Sequence, residues 1–383
     1  MSEYIHTAYK KAARIQTVVC GFLFAIFSFV YLYVFQRDIL EALHFSLAHG
    51  KTHFAPLASA LIITLSLILL RWGVNSLLRL KGNLRALSYF PSFLILGVLT
   101  NVGRDVYIYN HHTCWGWLLP VLLLVYILLG YGVGRFFKNQ SNKEAGSVSQ
   151  MNNGLLTIVL FSLMTVLIGN TERDFHHELE AERYLREHQY SEVLEVGKKS
   201  LKATRTLTVL RSMAMSHAGL LGEKLFAYPQ YYRSDGLFFA NDSTQTLRYT
   251  NDSIYYLLGA QPYKGEERME FLRNICYKGI GKYTALDYYL SSLLLEKQID
   301  KFGEALVDFY DAEDTLPRYY KEAILMYRSS HPDYPFIIKD SVLIKRYDEY
   351  HKRKTGFTSF ITERNGMRRE FGDTYWWYFN YQE

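Results

Sequence analysis

The chain has 383 residues, of which 49% are hydrophobic and 21% charged, and a net charge of +6. This composition excludes a disordered chain, and only three cysteines exclude a disulfide-stapled scaffold. The basic excess is confined to one half: residues 1–169 carry 13 Lys and Arg against 5 Asp and Glu, leaving 30 against 32 for 170–383. No basic surface domain remains to neutralise phosphates, so no nucleic-acid partner is expected.

Five apolar runs follow one another in the first half, at 15–35, 54–70, 86–102, 115–137 and 154–169. A helix crosses the hydrocarbon core with about 20 apolar residues, and about 17 is near the short limit. The first and fourth runs meet this length, and the other three draw on flanking residues. The run interiors hold no Asp, Glu, Lys, Arg or His apart from Arg135 near the end of the fourth, which weighs against an ion pathway or proton relay. Pro91 and Pro120 fall inside runs and are expected to kink them. Trp115 and Trp117 begin the fourth run, where an interfacial aromatic belt would stand.

Basic residues alternate between the connections. Lys10, Lys11, Arg14, Arg71, Arg79, Lys81, Arg85, Arg135, Lys138 and Lys143 fall on one side, and Arg37, Lys51 and Arg104 on the other. The positive-inside rule then places the N-terminus in the cytoplasm and everything after Gly169 outside. The expected address is the cytoplasmic (inner) membrane, with the lipid bilayer as the first partner. The first run lacks a following small-residue cleavage site, so it is read as an anchor and not a cleaved signal.

After Gly169 the pattern becomes that of soluble helices. Thr171-Glu-Arg-Asp174 has the form of a capping box, and Tyr184, Val193, Leu194 and Leu201 make an apolar stripe at helical spacing. A helix is expected over 204–217, a Tyr-, Ser-, Asp- and Asn-rich loop over 230–250, and a helix capped by Asn251-Asp-Ser253. Asn241 and Asn251 begin glycosylation sequons, which read better as turn and cap residues.

Phe302, Ala305, Phe309, Ala312 and Pro317 stand at the spacings of a helix that pairs closely and then stops. This segment resembles the second helix of a tetratricopeptide repeat. Its first helix departs from the pattern, with Leu293 where a glycine is usual and Glu296 replacing an aromatic. The segment 190–201 resembles a second such helix, preceded by Ala181 and Tyr184. The whole chain also resembles an uncharacterised family of membrane proteins common in the Bacteroidota. The resemblance is carried by Tyr249-Thr-Asn-Asp-Ser-Ile-Tyr-Tyr-Leu-Leu-Gly-Ala260, Leu316-Pro-Arg-Tyr-Tyr-Lys-Glu-Ala-Ile-Leu325 and Phe371-Gly-Asp-Thr-Tyr-Trp-Trp-Tyr378. It implies an inner-membrane protein with a periplasmic domain, and no catalytic residues.

The expected fold class is therefore all-α: a five-helix transmembrane bundle over 1–169, then a periplasmic, soluble, tetratricopeptide-like helical domain over 170–383. Searching for chemistry yields little. No nucleophile elbow, P-loop, paired cysteine motif or zinc-protease motif occurs, and no cofactor is expected. Seven of 12 histidines fall near the expected outer surface: His44, His49, His53, His111, His112, His176 and His177. With Asp105 or Glu178 they are candidate ligands for a divalent transition metal, against the reading that imidazoles simply suit a half-polar boundary. Cys114 and Cys276 would pair only if their Cα atoms came within about 7 Å. Tyr231, Tyr232, Tyr249, Tyr255 and Tyr256 are candidates for a recognition surface, or else for core. The expected function is a membrane-anchored scaffold or adaptor binding a protein or peptide partner in the membrane or periplasm. The alternative is a membrane enzyme, or its accessory subunit, acting on lipid-linked or envelope substrates.

Overall fold

The computed structural model describes residues 2–80, 82–107, 114–136, 147–200, 202–240, 246–357 and 359–382. Among these the chain is all-α, with 18 α-helices, and it divides into two compact units between His176 and His177.

The first unit contains α1 (Ser2–Val30), α2 (Arg37–Ala48), α3 (Pro56–Leu78), α4 (Phe90–Leu99), α5 (Trp115–Phe136) and α6 (Ser147–Ile168). Four stretches are long and apolar enough to cross a bilayer: Arg14–Phe35, Pro56–Leu78, Trp115–Gly132 and Met151–Ile168. Phe22, Ile62, Leu69, Leu128 and Leu160 each expose more than half of their surface. Such a belt is unfavourable in water and costs nothing against lipid tails.

The third apolar run differs from the expected crossing helix. It begins as a 3-10 helix over Gly82–Tyr89 and continues as the ten-residue α4. Pro91 interrupts regular bonding here, because it has no N–H to donate to the carbonyl four residues back. That carbonyl, Leu87 O, instead accepts the Tyr126 hydroxyl of α5 at 2.8 Å. The segment is also the buried one: Pro91, Ser92, Phe93, Leu94, Leu96 and Gly97 are covered by neighbouring helices. Pro120 does lie inside α5 as expected.

Side-chain contacts fix the helix directions. Gln16 lies against Gly154, and Tyr31 against Gly169, so α1 and α6 run the same way. α4 shares that direction, since Phe90 and Phe93 meet Phe161 while Gly97 meets Ile168. α3 runs oppositely: Ser92 Oγ donates to Leu67 O at 2.8 Å, and Arg71 lies over Tyr89. α5 runs with α3, with Tyr126 at Leu87 and Gly130 at Leu78. A polar knot closes one end of the bundle. Tyr31 shares a hydrogen bond with Thr100 at 3.1 Å, Gln36 donates to Asn170 O at 3.1 Å, and Asn170 donates to Val102 O at 2.6 Å. Buried polar atoms have no water to turn to inside a bilayer, so such mutual satisfaction is required.

In the remainder, α7 (Arg173–Arg186) straddles the division. It is followed by α8 (Tyr190–Glu195), α9 (Arg205–His217), α10 (Leu221–Lys224), α11 (Asn251–Leu258), α12 (Arg268–Tyr277), α13 (Tyr283–Leu295), α14 (Ile299–Phe309), α15 (Arg318–Ser330), α16 (Ser341–Lys354), α17 (Phe360–Phe371) and α18 (Tyr375–Tyr381). Helix α13 is apolar nearly all round and forms the centre, packing on α9, α10, α11, α12 and α14. A smaller core of Leu343, Tyr350, Met367, Phe371, Trp376, Trp377 and Tyr381 holds α16, α17 and α18 together.

Two hairpins share one turn. His188 and Lys297 both adopt left-handed backbone (φ 57° and 58°), and the next residue's N–H closes on a carbonyl five back: Gln189 to Tyr184 and Gln298 to Leu293, both at 2.9 Å. Phe302 and Ala305 are buried as expected, whereas Ala312 is exposed and lies past the end of α14. The expected helix over 190–201 stops at Glu195, and Gly197 turns the chain at φ 60°. The described parts of the 230–250 segment, 230–240 and 246–250, do not form an extended loop. They contain a 3-10 turn, Arg233–Leu237, and sink Leu237, Phe238 and Phe239 into the core. The helix that follows is capped by Thr250 with Ser253 in a capping box, one residue earlier than expected. Asn251 instead clamps Phe239, accepting from its N–H at 2.9 Å and donating to its carbonyl at 3.2 Å. At 3% exposure Asn251 is closed to glycosylation, while Asn241 lies outside the described residues.

Candidate functional site

The expected metal ligands do not converge among the described residues, where no group of three His, Cys, Asp or Glu is arranged to hold an ion. His111 and His112 lie outside the described residues. His44 meets the Thr52 hydroxyl at 3.2 Å and the Phe54 ring, and His49 is the left-handed C-cap of α2. His53 is exposed, as is Asp105 in a short 3-10 turn. His176 Nε2 meets Asn170 O at 3.1 Å, His177 packs on Gly197, and Glu178 is buried in α7. Cys20, Cys114 and Cys276 are free thiols.

The candidate recognition tyrosines divide by burial. Tyr249 packs against the core, and its burial pushes its hydroxyl up to about 12. Tyr255 packs between Phe238 and Phe271, and Tyr232 donates to Ala203 O at 3.2 Å. Tyr231 is exposed and accepts from Arg368, and Tyr256 is 80% exposed under the Lys282 ammonium.

A different set of aromatics lines a cleft between α15, α16, α18 and the start of α14. Helical spacing builds it. On α16, Tyr347, Tyr350, His351 and Lys354 recur at intervals of three and four and so share a face. Tyr347 sits edge-on to His351 at 4.5 Å and tilts on Trp376 of α18 at 4.8 Å. Across the cleft, Tyr327 of α15 stacks on His331 at 4.1 Å and 15°. Asn380 donates to the Tyr350 hydroxyl at 3.0 Å and to Trp376 O at 2.9 Å, and Lys354 reaches its side-chain oxygen at 3.4 Å. Burial raises the Tyr347 hydroxyl and brings Tyr350 to about 12, so both rings are neutral phenols at physiological pH. Asp300 is the one carboxylate in the lining. The cleft thus offers stacking faces and polar points, without the paired carboxylates that acid–base hydrolysis uses.

A half-buried ionic network braces the cleft from behind. Arg318 bonds Glu322 at 2.8 Å and Asp373 at 2.9 Å, and Arg346 bonds Asp373 at 2.6 Å. Glu322 is fully buried and accepts from Tyr375 N–H at 2.7 Å, while Trp376 donates to its backbone carbonyl at 2.8 Å. This fixes α18, and with it Trp376, against α15. The spacing on α16 was visible in the sequence. It does not by itself mark a cleft, because the partner aromatics lie on other helices.

Four stretches long and apolar enough to cross a bilayer, followed by an all-α unit, mark a multi-pass membrane protein with a helical C-terminal region. The chain belongs to the family of unknown function DUF6057, which it matches over residues 104–278 and 265–382. No curated protein and no solved structure matches it.

Proposed function

We propose that this protein is a membrane-anchored binding module, whose helical domain lies across the bilayer from the N-terminus and takes a peptide segment of a partner protein in the α15–α16–α18 cleft. The cleft carries the reading. Its Tyr, Trp, His, Ser and Asn lining is the chemistry of protein recognition, in which rigid rings supply contact area and small polar groups satisfy a backbone. The shared hairpin turn at His188 and Lys297 supports a repeat-like helical array of the kind that binds extended partners.

The address follows from two independent features. α1 and α6 are both long enough to cross and run in the same direction, which sends the chain after Ile168 out on the face opposite the N-terminus. The basic residues concentrate on the N-terminal side, which is the cytoplasmic side of an inner membrane and makes the helical domain periplasmic. Leu84–Leu99 then makes the fifth passage, sheltered inside the bundle.

A photo-crosslinking residue at Ser330, exposed on the cleft rim, tests this in native membranes. A discrete protein adduct is expected, and it should vanish when Tyr327→Ala removes the stacking face opposite. An adduct indifferent to Tyr327→Ala, or none at all, overturns the cleft as the binding site.

A further inference from the structure

The end of the bundle nearest the N-terminus holds a buried cation without a counter-charge among the described residues. Arg71 read as a loop residue from the sequence, but α3 continues to Leu78 and carries it inside the bundle. There it is 6% exposed. Its Nε has no hydrogen-bond partner, and among the described residues no carboxylate pairs with it. The contact it does make is with the Tyr89 ring, 4.6 Å away. The Nε of Arg85, half-buried on the 3-10 segment, also has no partner. Both arginines line one small, open notch, together with Gln16, Thr17 and Cys20 of α1.

A buried guanidinium left unpaired is costly, and two of them side by side add repulsion. A dianionic or monoanionic oxygen cluster relieves both terms at once, and the planar guanidinium fork is shaped for phosphate oxygens. The depth agrees with a lipid source. Arg71 lies seven residues before the end of α3, roughly 10 Å along the axis, and its neighbour Trp72 is 62% exposed, as an interfacial aromatic would be. The helix directions place this end on the same face as the start of α1 and of α6.

We propose that the Arg71–Arg85 notch binds the phosphate of an anionic phospholipid drawn from the leaflet on the N-terminal side. This is a site separate from the cleft and does not depend on that reading. The test is the thermal unfolding of the full chain, delipidated in neutral detergent and titrated with phosphatidylglycerol, with phosphatidylcholine, or with inorganic phosphate. Phosphatidylglycerol is expected to raise Tm saturably and phosphatidylcholine to do so far less. Arg71→Gln should abolish the gain. Arg85→Gln should weaken apparent affinity on the order of tenfold, the effect of losing one charged hydrogen bond, and it keeps the test decisive if Arg71→Gln does not fold. Arg79→Asn is the control for diffuse charge: Arg79 is exposed and in left-handed backbone, which Asn tolerates, so the gain should persist. A gain unchanged in Arg71→Gln or Arg85→Gln, or equal with phosphatidylcholine, overturns the site. An arginine-dependent gain reproduced by inorganic phosphate overturns the lipid source and assigns the notch to a soluble phosphate compound.

Discussion

At the scale of single residues, the most constrained group is Glu322. Burial lifts its carboxyl to about 7, against the opposing pull of Arg318. In the unfolded chain a glutamate ionises near about 4.3. A folded value above the unfolded one means that this group favours the fold fully below the unfolded value, and that the contribution is lost as pH rises through about 7. Asp373, held down by Arg346 and Arg318, behaves oppositely and favours the fold above its ordinary range. Melting temperatures of the wild type should therefore fall from pH 5 to pH 8 more steeply than those of Glu322→Gln. Equal slopes would show that Glu322 is not the titrating group. None of this was legible beforehand, since Glu322 looks like any exposed helix acid until α18 is folded over it.

At the scale of elements, patterns with a regular period were readable and those completed by a distant helix were not. The lipid-facing spans, the 204–217 helix and the burial of Phe302 and Ala305 all followed from spacing. The third run did not, because its fate depends on Tyr126, a residue two elements away. Tyr126→Phe leaves the Leu87 carbonyl without a donor in a setting that water does not reach. It is expected to cost about 1–3 kcal/mol, the desolvation penalty of an unmet buried polar group. Unfolding of the purified protein in detergent measures this, and a neutral substitution would mean that the carbonyl has another partner. Arg71 was misassigned for a related reason. Charge suggested a loop, while Trp72, Val74, Leu77 and Leu78 beyond it were the sign that the helix continued.

At the scale of the whole molecule, the proposed topology rests on charge alternation and helix direction. A reporter active only in the periplasm should work when fused after Glu383 and fail when fused after Lys143. The reverse, or activity at neither, would refute the proposed orientation and move the cleft to the cytoplasm. The composition changes abruptly after Gly169, while the described chain divides between His176 and His177. The cleft was not legible, because its walls come from four helices spread over residues 299–380.

The dependence of α4 on later helices also sets a timetable for synthesis. A ribosome that has just completed Leu99 has delivered a short, proline-bearing segment whose Leu87 carbonyl awaits Tyr126 and whose Gly97 surface awaits Ile168. Until α5 and then α6 emerge, lipid tails are a poor substitute for these partners, because they accept and donate no hydrogen bonds. The nascent chain is therefore most exposed to membrane quality control in the interval between residues 99 and 168. A stop codon there is expected to yield a product marked for removal, and one placed after Ile168 would still lack Asn170, which Gln36 and Val102 bond at the end of the bundle.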